Sequence, residues 1–180
     1  MIKDDPHIVT LIAGVKAGER QAQEKLYRNF YASMMNLCLR YTKNEMDAID
    51  ALNTGFYKVF KNIQVYNPAK AGLYTWIRTI IINSCLDICK LKEKRIQSME
   101  LTEAAVATIE PEIISKLSAT YLLELIRKLP VATQTVFNLF IMEGYSHQEI
   151  SELLQISEGT SKWHVSDARK KLQHMINGVK

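Results

Sequence analysis

The stretch EGYSHQEISELLQISEGTSKWHVSDARKKL, residues 143–172, decides how the C-terminal third of this chain is read. Ser146 precedes an apolar-periodic run with Glu149 three residues on. That is the spacing of a capping box, in which a hydroxyl and a carboxylate satisfy the N–H groups a helix leaves open at its start. Ser157 can cap a second helix, and the turn from Gln155 to Ser157 has helix-turn-helix length. Ile150, Leu154, Ile156 and Val165 would form the small core between the two helices. Glu158, Ser161, Lys162, His164 and Arg169 would then lie around the exposed sides of the second. In such a motif the second helix enters the major groove by its N-terminal turns, with Lys162 and His164 placed to read. The basic end, Arg169 to Lys171, also complements its own helix dipole. The spacing therefore fits a packing hairpin as well, and DNA reading is the stronger of the two.

Working outward, the chain has 180 residues, 47% of them hydrophobic, enough for one or two domains with a buried core. Its net charge of +4 favours a polyanionic partner only mildly. Seven glycines, four prolines and apolar residues at three- and four-residue intervals predict an all-α fold with no strand. Pro6 starts a first helix that reaches Gly18, and Leu26, Phe30, Met34, Leu37 and Tyr41 stripe a second. Asn44 caps a third, with Ile49, Leu52, Phe56, Val59 and Ile63 inward and Asp50, Asn53, Thr54, Tyr57 and Lys61 outward. A loop over residues 65–72 precedes a fourth helix from Leu73 to about Lys94.

Between Gln97 and Ile114 the chain carries Glu100, Glu103, Glu110 and Glu112 with no lysine or arginine, and Pro111 interrupts any helix. This reads as an acidic linker over 96–117, between a first domain, 1–95, and a second of four helices, 118–180.

On the fourth helix Trp76, Asn83 and Lys90 recur seven residues apart, with Lys94 four beyond. An aromatic, an amide and cations on one side are the chemistry of a single-strand platform. A half-buried core Trp76 beside a solvated lysine face is the commoner arrangement. Three cysteines, at 38, 85 and 89, make no disulfide framework. Cys85 and Cys89 have ligand spacing but no third ligand near them, so inert buried thiols are expected and no metal. The histidines are scattered, and neither a glycine-rich phosphate loop nor a G-x-S-x-G turn occurs. No enzyme signature and no cofactor site follow. Asp4 and Asp5 in place of a basic leader, with uninterrupted apolar runs as short as Ile80 to Ile82 and none longer than the four residues of Leu139 to Met142, fit a cytoplasmic protein with no membrane insertion.

Four blocks carry a wider resemblance: EKLYRNFYASMMNLCLRYTKN (24–44), DAIDALNTGFYKVFKNI (47–63), AGLYTWIRTIIINSCLD (71–87) and the run from Leu129 to Leu172. In this order and spacing the chain resembles the sigma factors of bacterial RNA polymerase, in particular the small extracytoplasmic-function (ECF) group of the type common in Bacteroidetes. The resemblance implies a sigma region 2 four-helix domain, which binds core RNA polymerase and opens the minus-ten element. It also implies a region 4 helix-turn-helix domain on the minus-thirty-five element, with an anti-sigma factor or other regulatory protein as a further partner. By carry-over, Asp50, Asn53 and Thr54 lie at the positions that touch the polymerase clamp. Asn67, Pro68, Ala69, Lys70 and Ala71 form the loop that receives a flipped promoter base. Trp76, Arg78 and Asn83, with Lys90 and Lys94, lie along the melted strand.

For the minus-thirty-five element the candidates are Ser157, Glu158, Thr160, Ser161, Lys162, Trp163, His164, Ser166, Asp167, Arg169 and Lys170. Asn53 and Thr54 stand where the family usually has Gln and Glu, Gln155 where glycine is usual at a position that wants positive φ, Trp163 where a small residue is usual, and Asp167 where a basic one is common. Facing DNA, Asp167 would repel phosphate or accept from a cytosine amino group. The other readings of the same residues are a LuxR-type helix-turn-helix regulator and a sigma-like protein-binding module without promoter function.

Overall fold

The structure, a computed structural model, describes residues 6–98 and 119–177, and for Pro6, residues 92–98 and Ala119 the backbone alone. The described residues form helices and turns with no strand. The linker residues 99–117 and the side chain of Lys94 lie outside what is described. The chain divides into two compact units, Met1–Ile88 and Cys89–Lys180, the division falling inside the fourth helix.

The first unit is built on α1 (Pro6–Lys16), α2 (Arg20–Tyr41), α3 (Glu45–Asn62), a 3-10 turn (Ile63–Val65) and α4 (Leu73–Ser98). Asn44 caps α3 as expected: its side chain accepts from the Asp47 N–H at 2.9 Å and donates to the Asp47 carboxylate at 3.0 Å. Leu26, Met34, Leu37 and Tyr41 of α2, Leu52, Phe56 and Val59 of α3, and Ile77, Ile81 and Ile82 of α4 are all buried in the core. Each such side chain contributes roughly 1.5–3 kcal/mol through burial. Gly55 lets α3 and α4 approach closely, since a Cβ there would run into the Ile81 side chain and stand 3.3 Å from its Cα. Cys85 faces Cys38 with 3.7 Å between the sulfurs, and both are free thiols in the core. Ile49, expected inside, is 40% exposed. It sits at the edge of the stripe, where the 3.6-residue period carries it round toward solvent.

The second unit comprises α5 (Ala119–Lys128), α6 (Val131–Phe137), a π-helical segment (Asn138–Met142), α7 (His147–Leu154) and α8 (Glu158–Asn177). Leu129, Phe137 and Ala168 form a core flanked by Ile126, Leu172 and Met175. The capping box of α7 is complete, with the Ser146 hydroxyl accepting from the Glu149 N–H and the Glu149 carboxylate accepting from the Ser146 N–H. Ser157 caps the next helix by accepting from the Thr160 N–H at 3.0 Å. Gln155 closes α7 at φ 58, ψ 45, the left-handed conformation its position called for, and its amide donates to the Glu152 carbonyl at 2.7 Å. Nothing in the residue pattern marks the π segment, in which the Glu143 N–H reaches back to the Asn138 carbonyl. Among the described residues, no helix is long and apolar enough to cross a membrane.

Candidate nucleic-acid interface

Asp50, Asn53 and Thr54 all lie exposed on one side of α3. Tyr27 on α2 donates to the Asn53 side-chain oxygen at 3.3 Å, and its ring lies 4.7 Å from that of Phe56. Partial burial, reinforced by neighbouring Tyr31, raises the Tyr27 phenol above its ordinary range. Met46 and Tyr57, 77% and 65% exposed, share this side of α3, so a polar centre is rimmed by apolar groups. Met46 had gone unnoticed in the sequence. Its signal was the four-residue step to Asp50.

The loop from Asn67 to Ala71 is a closed turn. The Asn67 side chain accepts from the Ala69 N–H at 2.9 Å, and its carbonyl accepts from Lys70 at 3.1 Å. Tyr66, buried at the loop's base, donates its hydroxyl to the Ala71 carbonyl at 3.2 Å and sets its ring 5.1 Å from that of Trp76. Burial raises the Tyr66 phenol. The loop and the start of α4 are thus joined by one side chain that sequence reasoning did not single out. Lys70 is exposed, as are Asn67, Pro68 and Ala69.

On α4, Trp76 is half-buried and Asn83 and Lys90 are exposed on the same side. Trp76 is therefore both things the sequence left open: its ring packs against Tyr66 at a tilt of 51°, and part of it remains accessible. Arg78, two residues on, is turned by about 200° around the helix from Trp76 and does not share that side. Asp87 does, tied to Lys58 at 2.8 Å.

In the second unit α8 presents three sides. Val165 and Ala168 are buried, and so is Ser161, which was expected on the surface. The Ser161 hydroxyl lies 2.9 Å from Nδ1 of His147, whose other side stacks on Phe140 at 4.3 Å. A small hydroxyl fits the tight α7–α8 contact, so Ser161 has no surface to offer a ligand. His164 and Asp167 also turn from the outermost side toward α6. The buried Thr133 hydroxyl lies 3.0 Å from His164 Nδ1 and 3.3 Å from the Asp167 carboxylate, which also accepts from Lys171 at 2.6 Å. The Lys171 bond is the largest cause holding the Asp167 carboxyl below its usual range. Burial pushes the His164 imidazole down, against the opposing pull of Asp167. The expected exposed reader at Asp167 is corrected to a side chain whose charge is neutralised within the domain. Thr133 was missed; its polar neighbours Gln134 and Thr135 in an otherwise buried helix were the signal.

What remains outward on α8 is Trp163, Ser166, Arg169 and Lys170, with Glu158, Thr160 and Lys162 toward its start. Lys162 pairs with Glu158 at 3.3 Å, an exposed i,i+4 contact worth little and readily exchanged for a phosphate. Ser157 and Thr160 turn their hydroxyls to each other at 2.9 Å. Among the described residues no group of three or more His, Cys, Asp or Glu could hold a metal ion.

The geometry is that of an all-helical protein with an aromatic and basic helix in one unit and a helix-turn-helix in the other. The sigma-70 region 2 family matches residues 26–95 and the sigma-70 region 4 family matches residues 119–172. The ECF RNA polymerase sigma-E factor of Haemophilus influenzae is 24% identical, over 92% of this chain and 93% of its own length. The ECF sigma factor SigM of Mycobacterium tuberculosis is likewise 24% identical, over 92% of this chain and 83% of its own. In fold the chain is similar to the sigma factor RpoE from Bartonella quintana, solved in complex with the anti-sigma factor NepR. That similarity has a TM-score of 0.58 at 16% identity, covering 87% of this chain and 97% of RpoE. The chain belongs to the ECF group of sigma-70 factors. It is a transcription initiation factor that binds core RNA polymerase and promoter DNA and directs promoter-specific initiation. A LuxR-type regulator, whose N-terminal domain needs strands, is set aside by the region 2 match and the absence of strands among the described residues.

Proposed function

We propose that residues 1–95 work as region 2 and residues 118–180 as region 4, joined by the acidic linker 96–117. Core polymerase is gripped by the α3 side that carries Asp50, Asn53 and Thr54. The minus-ten element is opened by the loop Asn67, Pro68, Ala69, Lys70 and Ala71 together with Trp76, Asn83, Lys90 and Lys94, while Arg78, on the opposite side of α4, stands apart from that surface. Taking a base out of the duplex costs a few kcal/mol, offset by stacking and phosphate contacts at such a surface. Upstream, Lys162, Trp163, Ser166, Arg169 and Lys170 contact the minus-thirty-five element, with Ser157, Glu158 and Thr160 at the start of α8. Ser161, His164 and Asp167 hold that helix in place.

The observation that carries this reading is the junction at Tyr66, where a closed loop and an aromatic-basic helix side meet through one ring. The protein acts without catalysis of its own, in the cytoplasm, and is of the type common in Bacteroidetes. RpoE from Bartonella quintana is held by an anti-sigma factor, and we extend that class of partner to this chain. The test is to mix the purified chain with core RNA polymerase and follow co-elution and promoter-dependent transcription. Failure of both would end the reading.

A further inference from the structure

Trp163 occupies the middle of the outermost side of α8, turned away from Val165 and Ala168, and is 59% exposed. One turn earlier stands Gly159 and nearly one turn later Ser166, so the indole projects with room on both sides. It is also held: its ring meets His164 edge-on at 4.9 Å and 72°, and the His164 ring is fixed in turn by the buried Thr133 hydroxyl at 3.0 Å. A rigid, protruding apolar surface suits recognition, because little side-chain freedom is lost when it is covered. In the major groove only one base presents an apolar group, the 5-methyl of thymine. Resting on the reading of α8 as the minus-thirty-five helix, we infer that Trp163 reads a thymine in the upstream element through its 5-methyl group. His164 and Thr133 are positioning residues behind it.

The experiment uses holoenzyme reconstituted from the whole chain and core RNA polymerase. Promoter duplexes are selected from a pool randomised across the upstream element, then resynthesised with deoxyuridine replacing each thymidine singly, which deletes only the methyl group. At one position affinity should fall about fourfold, the worth of one methyl group kept from water. Trp163→Phe should keep that sensitivity and Trp163→Ala should lose it, with helical content unchanged because the side chain is exposed. The inference is overturned if no thymine is selected, or if methyl deletion costs wild type and Trp163→Ala equally. An upstream preference that ignores methyl groups would sink this inference alone. No upstream preference and no upstream protection would sink the minus-thirty-five reading with it.

Discussion

The Thr133 hydroxyl, buried on α6, lies 3.0 Å from Nδ1 of His164 on α8 and 3.3 Å from the Asp167 carboxylate. One oxygen therefore ties two side chains of α8 to the helix behind it, beside the apolar contact of Phe137 with Ala168. Thr133→Val keeps the shape and removes the hydrogen bonds, leaving two polar groups short of a partner. The expected cost is about 1–2 kcal/mol, read as a lower urea midpoint from Trp163 fluorescence in a Trp76→Phe background. An unchanged midpoint would make the network energetically neutral.

Acid should loosen the same contact. Burial keeps the folded His164 imidazole below its ordinary 6.5, so the unfolded chain binds the proton more readily. The contribution is whole above pH 6.5 and is lost as pH falls below it. Asp167, held low by Lys171, contributes in the same sense but only as pH falls below its ordinary 3.8. Between about pH 7.5 and about pH 5.5, where imidazoles titrate, the second unit should lose thermal stability, and His164→Gln should flatten that slope. Equal slopes in the two proteins would exonerate His164.

Tyr66→Phe preserves the ring beside Trp76 and deletes only the bond to the Ala71 carbonyl. About 1 kcal/mol of loop closure should go, slowing promoter opening roughly fivefold. Permanganate reactivity of thymines in the melted region measures the rate, and co-elution with core polymerase should not change.

Asn83 is exposed on α4 with no role in the core. Asn83→Ala should weaken opening of the minus-ten element while core binding stays intact. Equal loss of both activities would mark Asn83 as structural.

Gln155 holds φ 58 where a side chain is strained, partly offset by its amide bond to the Glu152 carbonyl. Gln155→Gly relieves the strain and loses that bond, for a net gain of up to about 1 kcal/mol in the second unit. A lowered melting temperature would show that the side-chain bond outweighs the strain.

Much of this was legible in the sequence because it rests on local rules. Asn44, Ser146 and Ser157 cap the helices their spacing announced, and the left-handed conformation at Gln155 falls where the family resemblance implies a glycine. Trp76, Asn83 and Lys90 share a side because seven residues make nearly two turns. What stayed hidden depends on contacts between distant residues. Ser161 looks exposed until His147 is known to cover it, and Asp167 looks like a reader until Thr133 and Lys171 are found beside it. Periodicity places a residue on a side of its helix but does not say which neighbour the flanks will meet.

The Tyr66 segment is also moored to the first helix: the Lys16 ammonium donates to the Tyr66 carbonyl at 3.5 Å, and Gln64 donates to the Lys16 carbonyl at 2.7 Å. The short N-terminal helix thus shares the footing of the loop from Asn67 to Ala71, the one proposed to receive a promoter base. If that proposal holds, variation at Lys16 would reach the promoter through the loop's stance, shifting how readily DNA opens from a residue outside the proposed contact surface.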